Sequence, residues 1–153
     1  MITIAQALHW FNFDHFYQEA KRVLKMRCII AAWTYSFLSA SPLLGKLVEQ
    51  CVSDFYHHVI GPYWPKQRLW VDELYETIPF LEQDTPSFSL ELSWDLQSVI
   101  GYISSWSAVA EYQKITGVDP LPDFAENLRR VWGKKEKPRE MKWPLALRVG
   151  TFL

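Results

Sequence analysis

The pattern of apolar and polar positions at the start of the chain predicts strand, helix, strand. Ile2-Thr3-Ile4-Ala5-Gln6-Ala7 is a β-branched and apolar run that breaks into Leu8-His9-Trp10-Phe11-Asn12. Asn12 suits a helix cap, and the next apolar residues are Phe13, Phe16, Tyr17, Ala20, Val23 and Leu24. That spacing is the stripe of an amphipathic helix, with Glu19, Lys21 and Arg22 on the other side. Cys28 to Thr34 is a second apolar run. Strands apolar on both faces belong to parallel sheets buried between helices, and the intervening helix is the crossover they require.

Further on, Ser41 and Pro42 stand at cap and first-turn positions of a helix carrying Leu43, Leu44, Leu47, Val48, Cys51, Val52 and Phe55. Gly61-Pro62-Tyr63-Trp64-Pro65 stops it, and Arg68 to Tyr75 reads as a short helix. Pro79 to Pro86 is read as a loop. Phe88 to Trp94 alternates strictly, the signature of a strand with one wet face. Asp95 caps a helix over Leu96–Ser104, Trp106–Thr116 forms another ending at Gly117, and Pro122–Trp132 a third. After the charged connector Lys134–Arg139, Lys142 to Leu153 is the last strand, with Leu145, Leu147 and Val149 facing one way. The order predicts an α/β domain over residues 1–153 whose mixed sheet is interrupted by helices.

Composition narrows the class. With 153 residues, 49% of them apolar and eight of them Trp, the chain is too oily to be disordered. A formal net charge of −1 gives no long-range attraction for nucleic acid or an anionic membrane. No stretch reaches the ~20 apolar residues of a membrane span, and Met1 leads into no signal-like segment. Cys28 and Cys51 read as reduced core residues, so a soluble, cytoplasmic protein is expected.

Four stretches, taken in order, carry a family resemblance. They are Ala5-Gln6-Ala7-Leu8-His9-Trp10-Phe11-Asn12, Phe16 to Leu24 with Ile29 to Tyr35, Tyr102-Ile103-Ser104-Ser105-Trp106-Ser107-Ala108, and Trp143-Pro144-Leu145-Ala146-Leu147-Arg148-Val149-Gly150. Together they resemble class I S-adenosylmethionine-dependent methyltransferases, in particular the type 11 or trans-aconitate methyltransferase-like group. The resemblance covers essentially the whole chain and implies the C-terminal half of that Rossmann-like fold, beginning at its fourth strand. It implies a mixed sheet whose last strands run antiparallel, with a helical insertion.

Such enzymes approach the cofactor through a glycine-rich turn and hold its ribose with an acidic residue. The six glycines here never come within a few residues of one another, so no G-x-G exists. At Lys25-Met26-Arg27-Cys28 the family usually turns with Pro-Gly-Gly.

The resemblance implies that Ala5, Gln6 and Ala7 pass under S-adenosylmethionine. Methyl transfer is an in-line displacement governed by alignment, with a base optional. His9, just past a strand's carboxyl end, is the candidate base or substrate-orienting group, or else it bonds a backbone carbonyl at the turn. Trp10, Trp33, Tyr35, Trp106 and Ser107 are candidates for the wall of a substrate pocket, although for each Trp a place in the core is the favoured reading. Arg148 could meet a substrate carboxylate through bidentate contacts, or point outward from an edge strand.

Three other patterns are set aside. Tyr17-x-x-x-Lys21 matches the catalytic pair of short-chain dehydrogenases, but Tyr17 lies on the apolar stripe. Cys51, Asp54 and His58 share a helix face at zinc-ligand spacing, but Cys51 belongs to the buried stripe. The basic run from Arg129 to Lys142 is broken by Glu136 and Glu140.

Two functions remain, besides that of a fragment with no function of its own. One is a methyltransferase, or the C-terminal portion of one, acting on a small molecule and expected to be inactive as this chain alone. The other is a non-catalytic interaction or regulatory module. The apolar strand Ile2–Ala7, left as an edge, is expected to self-associate.

Overall fold

The computed structural model describes residues 1–25, 28–40, 45–76, 82–83 and 85–151, the side chains of Ser39, Ala40, Glu82 and Gln83 aside. The expected cap at Ser41-Pro42, Leu43 and Leu44, the middle of the Lys25–Cys28 turn, and residues 79–81 and 84 of the Pro79–Pro86 loop lie outside these residues. The chain divides into two compact units, Met1–Phe37 with Gln67–Leu90 and Trp143–Leu153, and Leu38–Lys66 with Glu91–Lys142.

The first unit opens with β1 (Ile2–Ala5), a 3₁₀ turn at Leu8–Trp10, α1 (Phe13–Val23) and β2 (Ile29–Tyr35). Asn12 Oδ1 accepts the His15 N–H at 3.0 Å and so caps α1. β1 and β2 pair in parallel, from Ile2 against Ile30 to Ala5 against Trp33. The other side of β2 pairs antiparallel with residues 145–151 of the last strand, Tyr35 opposite Leu145 and Ile29 opposite Thr151. The mixed sheet implied by the resemblance is thus present.

Its burial is more one-sided than the apolar runs predict. Ile30, Ala32 and Thr34 are buried, while Ile29 is exposed and Ala31, Trp33 and Tyr35 are only half-buried. The core behind the buried face is Ile4, Leu8, Ala20, Ile30, Ala32, Val71 and Tyr75. Phe13 and Phe16 of α1 pack against it, whereas Val23 is exposed despite its place in the predicted stripe.

The short helix expected over Arg68–Tyr75 stops early. Following β3 (Ser39–Ala40) and α2 (Lys46–Asp54) in chain order, α3 spans only Arg68–Asp72. Leu74 and Tyr75 then adopt left-handed backbone, φ 52° and 61°, which no continuing helix permits. This departure turns Tyr75 into the core.

A π-helical turn (Phe55–Val59) and a 3₁₀ turn (Gly61–Tyr63) follow α2, and the remaining elements are β4 (Glu82–Gln83), β5 (Phe88–Trp94), α4 (Leu96–Ser104), α5 (Ser107–Thr116), α6 (Leu121–Trp132) and β6 (Arg139–Thr151). Within the first unit, β4 pairs with Val149 and Gly150 of β6. Within the second, β3 pairs with Met141 and Lys142 of the same strand. β5 forms as expected and also pairs with β6, but its apolar face is not covered throughout, since Phe88 and Leu90 are exposed. In β6 the predicted face of Leu145, Leu147 and Val149 is half-buried, like Ala146 and Arg148 opposite, and the side chains fully buried are Met141 and Trp143.

The second unit packs its helices around Val48, Val52, Phe55, Phe124, Leu128 and Trp132. The rings of Phe55 and Phe124 lie 4.3 Å apart between centroids. Asp95 caps α4 by accepting the Ser98 N–H at 2.8 Å, and Gly117 ends α5 in left-handed backbone at φ 74°.

Candidate functional site

The carboxyl ends of parallel strands β1 and β2 are locked together by one residue. Gln6, in left-handed backbone at φ 48°, donates its N–H to the Trp33 carbonyl at 2.9 Å. Its side-chain oxygen accepts the Thr34 hydroxyl at 2.8 Å and the Tyr35 N–H at 3.0 Å. A non-glycine residue in this region costs about 1 kcal/mol or more and persists where its surroundings over-determine it. Here these three hydrogen bonds do so, with a fourth, longer one from Gln6 Nε2 to the Tyr35 carbonyl at 3.4 Å.

The chain leaves this clamp through Ala7 and turns at Leu8–Trp10, placing His9 inside. His9 is 6% exposed, and its Nδ1 shares a 2.8 Å hydrogen bond with the Tyr75 hydroxyl. Burial, helped by the positive charge of Arg68, holds the imidazole below its ordinary value near 6.5, so it is neutral at pH 7. Burial pushes the Tyr75 phenol up, against opposing hydrogen bonds from Thr34 and the backbone of His9 and Leu8. The pair is therefore a neutral imidazole on a neutral phenol, tied to Thr34 and through it to Gln6.

Arg148 reaches the same turn from β6. Its Nε donates to the Leu74 carbonyl at 3.1 Å, and an Nη lies 3.8 Å from Glu76. β6 has strand neighbours on both sides, β2 and β4, so Arg148 does not stand on an edge strand. Its guanidinium holds the left-handed segment that aims Tyr75.

The other sequence candidates are distributed unevenly. Ala5 is exposed, Ala7 half-buried, and Trp10 stands out at 57% exposure with its ring 4.9 Å from that of His9. Trp33 and Tyr35 are half-buried at the end of β2. Trp106 and Ser107 belong to the second unit, where Trp106 packs among Tyr56, Trp64 and Tyr102 and Ser107 is exposed. The sequence reading missed Tyr75, Thr34 and Arg68. Tyr75 carried only the signal of an aromatic residue at the end of a weak helix.

Of the patterns set aside, Tyr17 packs against Phe13 and Phe16. Among the described residues no group of three His, Cys, Asp or Glu side chains is placed to hold a metal ion. Among them, too, no helix is long and apolar enough to cross a membrane.

The site fits only part of a methyl-donor pocket. The small, exposed Ala5 at a strand's carboxyl end leaves the backbone open to a flat ligand. The Gln6 side-chain oxygen, by contrast, is already occupied by Thr34 and Tyr35, and no glycine turn stands nearby. These residues could form a floor, not a grip.

No family model matches the chain. Its sequence is 35% identical over 136 residues to a Dictyostelium discoideum protein named "Putative methyltransferase", covering 86% of this chain and 51% of the relative. Its fold matches a solved structure of a "Putative Type II Methyltransferase" from Anaeromyxobacter dehalogenans, with a TM-score of 0.82 and 36% identity. That match covers 97% of this chain and 63% of the other. The chain thus spans about half the length of the curated relative.

Proposed function

We propose that this chain, methyltransferase-like in sequence and fold, supplies the acceptor side of a methyl-transfer site at the carboxyl ends of β1 and β2. The observation that supports the reading best is the buried His9–Tyr75 hydrogen bond at that end of the sheet. S-adenosylmethionine, when bound, would supply an electrophilic methyl group. The chain's own residues would align the acceptor. Tyr75 holds His9 Nδ1, leaving a neutral imidazole whose other nitrogen can orient or deprotonate an acceptor oxygen. Trp10, Trp33 and Tyr35 offer apolar walls, and Arg148 beside the Leu74 turn suits a small carboxylate-bearing acceptor.

The test is acceptor binding followed at His9. Titration of the chain with trans-aconitate should move the His9 imidazole resonances saturably, and His9→Gln should weaken binding. Calorimetry with S-adenosylmethionine should show no saturable heat for this chain, in line with the missing grip. Resonances of His9 that ignore every small carboxylic acid tried would sink the acceptor role.

A second reading, a non-catalytic interaction module, is supported by β1. Among the described residues it has a strand neighbour on one side only, and Ile2–Ala5 carries no charge or proline to blunt that edge. Self-association in sedimentation that disappears in Thr3→Lys would support this; a monomer at all concentrations would count against it.

A further inference from the structure

A cleft of about 540 Å³ lies wholly within the second unit, lined by residues of α2, α6 and the segments that follow α2 and α5. Its floor is the buried pair Phe55 and Phe124. Around it stand Leu47, Val59 and Val118, exposed to 69%, 39% and 57%. Gathered about one concavity, these aliphatic side chains give a ligand apolar surface to cover. The volume falls in the range of small-molecule sites, roughly 300–1,000 Å³.

The charge around the cleft selects among ligands. Asp54, Asp119 and Asp123 line it, against two basic residues, Arg130 and His58, of which Arg130 alone is permanently cationic. Arg130 Nε lies 3.4 Å from Glu126 on its own helix, so its charge is partly balanced there. The whole chain carries 16 basic and 17 acidic residues, which makes the acidic surplus a property of this place. The carboxylates have capacity to spare. Asp119 accepts one backbone N–H, from Leu121 at 3.0 Å, and Asp54 accepts the Gln50 amide at 2.7 Å. Burial first, and then the Asp54 charge, raises the Cys51 thiol, which therefore adds no negative charge of its own.

We propose that this cleft binds a small hydrophobic cation, an arylalkylammonium whose apolar body lies among Leu47, Val59 and Val118, above the buried Phe55–Phe124 pair, and whose ammonium meets Asp119 and Asp123. An anion of the same shape would meet three carboxylates at the rim, and a wholly apolar ligand would leave them without a partner. The proposal draws on the second unit alone and is independent of the acceptor site at His9.

The test is a two-dimensional amide NMR titration of the chain with 4-phenylbutylammonium, and in parallel with 4-phenylbutyrate. The ammonium should shift the resonances of Asp119, Asp123 and Phe124 saturably, and the carboxylate should bind at least tenfold more weakly, about 1.4 kcal/mol. The double variant Asp119→Asn, Asp123→Asn keeps side-chain size and capping ability, and should lower affinity for the ammonium at least fivefold while leaving resonances of the first unit in place. Equal affinity for the two compounds, no saturable shift, or unchanged affinity in the double variant would overturn the proposal. So would Zn²⁺ bound through Cys51, Asp54 and His58 in preference to the amine.

Discussion

His9 and Tyr75 lie 66 residues apart in the chain and are joined by a buried 2.8 Å hydrogen bond. The contact exists because α3 ends at Asp72 and two consecutive residues beyond it, Leu74 and Tyr75 itself, take left-handed backbone. Arg148 then fixes the Leu74 carbonyl from β6. Three separate stretches of the first unit thus converge on one imidazole. Tyr75→Phe removes the hydroxyl and leaves His9 Nδ1 buried without its partner. The expected cost is about 1–3 kcal/mol, read as a lower denaturant midpoint, with a change in the imidazole ¹⁵N shifts of His9. An unchanged midpoint would mean that water replaces the phenol.

Stability should depend on pH through the same residue. Folded His9 is held below its ordinary value near 6.5, by burial first and Arg68 second. Between the folded and unfolded values the unfolded chain carries more protons, so stability rises with pH there. The contribution is complete above about pH 6.5 and is lost as pH falls through the folded value. Denaturation midpoints compared at about pH 7.5 and about pH 5.5 should therefore differ less in His9→Gln than in the unaltered chain.

Gln6 is expected to matter more than its polarity suggests. Gln6→Ala leaves the Thr34 hydroxyl, in a fully buried residue, and the Tyr35 N–H without their acceptor. Each lost partner costs about 1 kcal/mol or more. Amide exchange at Tyr35 should accelerate, while amides in the middle of α1, whose bonds stay within the helix, should change little. Equal acceleration in both places would show that Gln6 supports the unit as a whole rather than the strand ends.

How much of this was legible in the sequence follows from range. The opening strand, helix and strand, the caps at Asn12 and Asp95, and the stop at Gly117 depend on residues a few places apart, and all were readable. So was the family's mixed sheet, through its ordered motifs. Which face of a strand is covered depends on distant elements, and there the apolar pattern misled: β2 is one-sided, and Phe88 and Leu90 of β5 are exposed. At the site, His9 was marked by its place after a strand. Tyr75 was invisible because neither its left-handed backbone nor its partner leaves a periodic trace.

Adjacent positions in the turn after β1 should behave oppositely under truncation. Leu8 is fully buried in the core of the first unit, and Leu8→Ala should cost about 2–5 kcal/mol. Trp10 is 57% exposed, and Trp10→Ala should change stability by less than about 1 kcal/mol. Because Trp10 lies against His9, the same variant should still weaken acceptor binding. A Trp10→Ala chain as destabilised as Leu8→Ala would move Trp10 from pocket wall to core.

Two glycines of the second unit separate backbone strain from steric fit. An added Cβ meets nothing within 4 Å at either Gly101 or Gly117, so space does not distinguish them. Gly101 lies inside helix α4, where alanine is the better residue by about 1 kcal/mol. Gly117 ends α5 at φ 74°, where a Cβ costs about 1–2 kcal/mol. Gly101→Ala should therefore raise the melting temperature, Gly117→Ala should lower it, and Gly117→Asn should recover part of the loss, since asparagine tolerates this region. Both residues belong to one unit, so the opposite signs should appear in the same transition. Shifts of the same sign would show that packing, not backbone conformation, decides both positions.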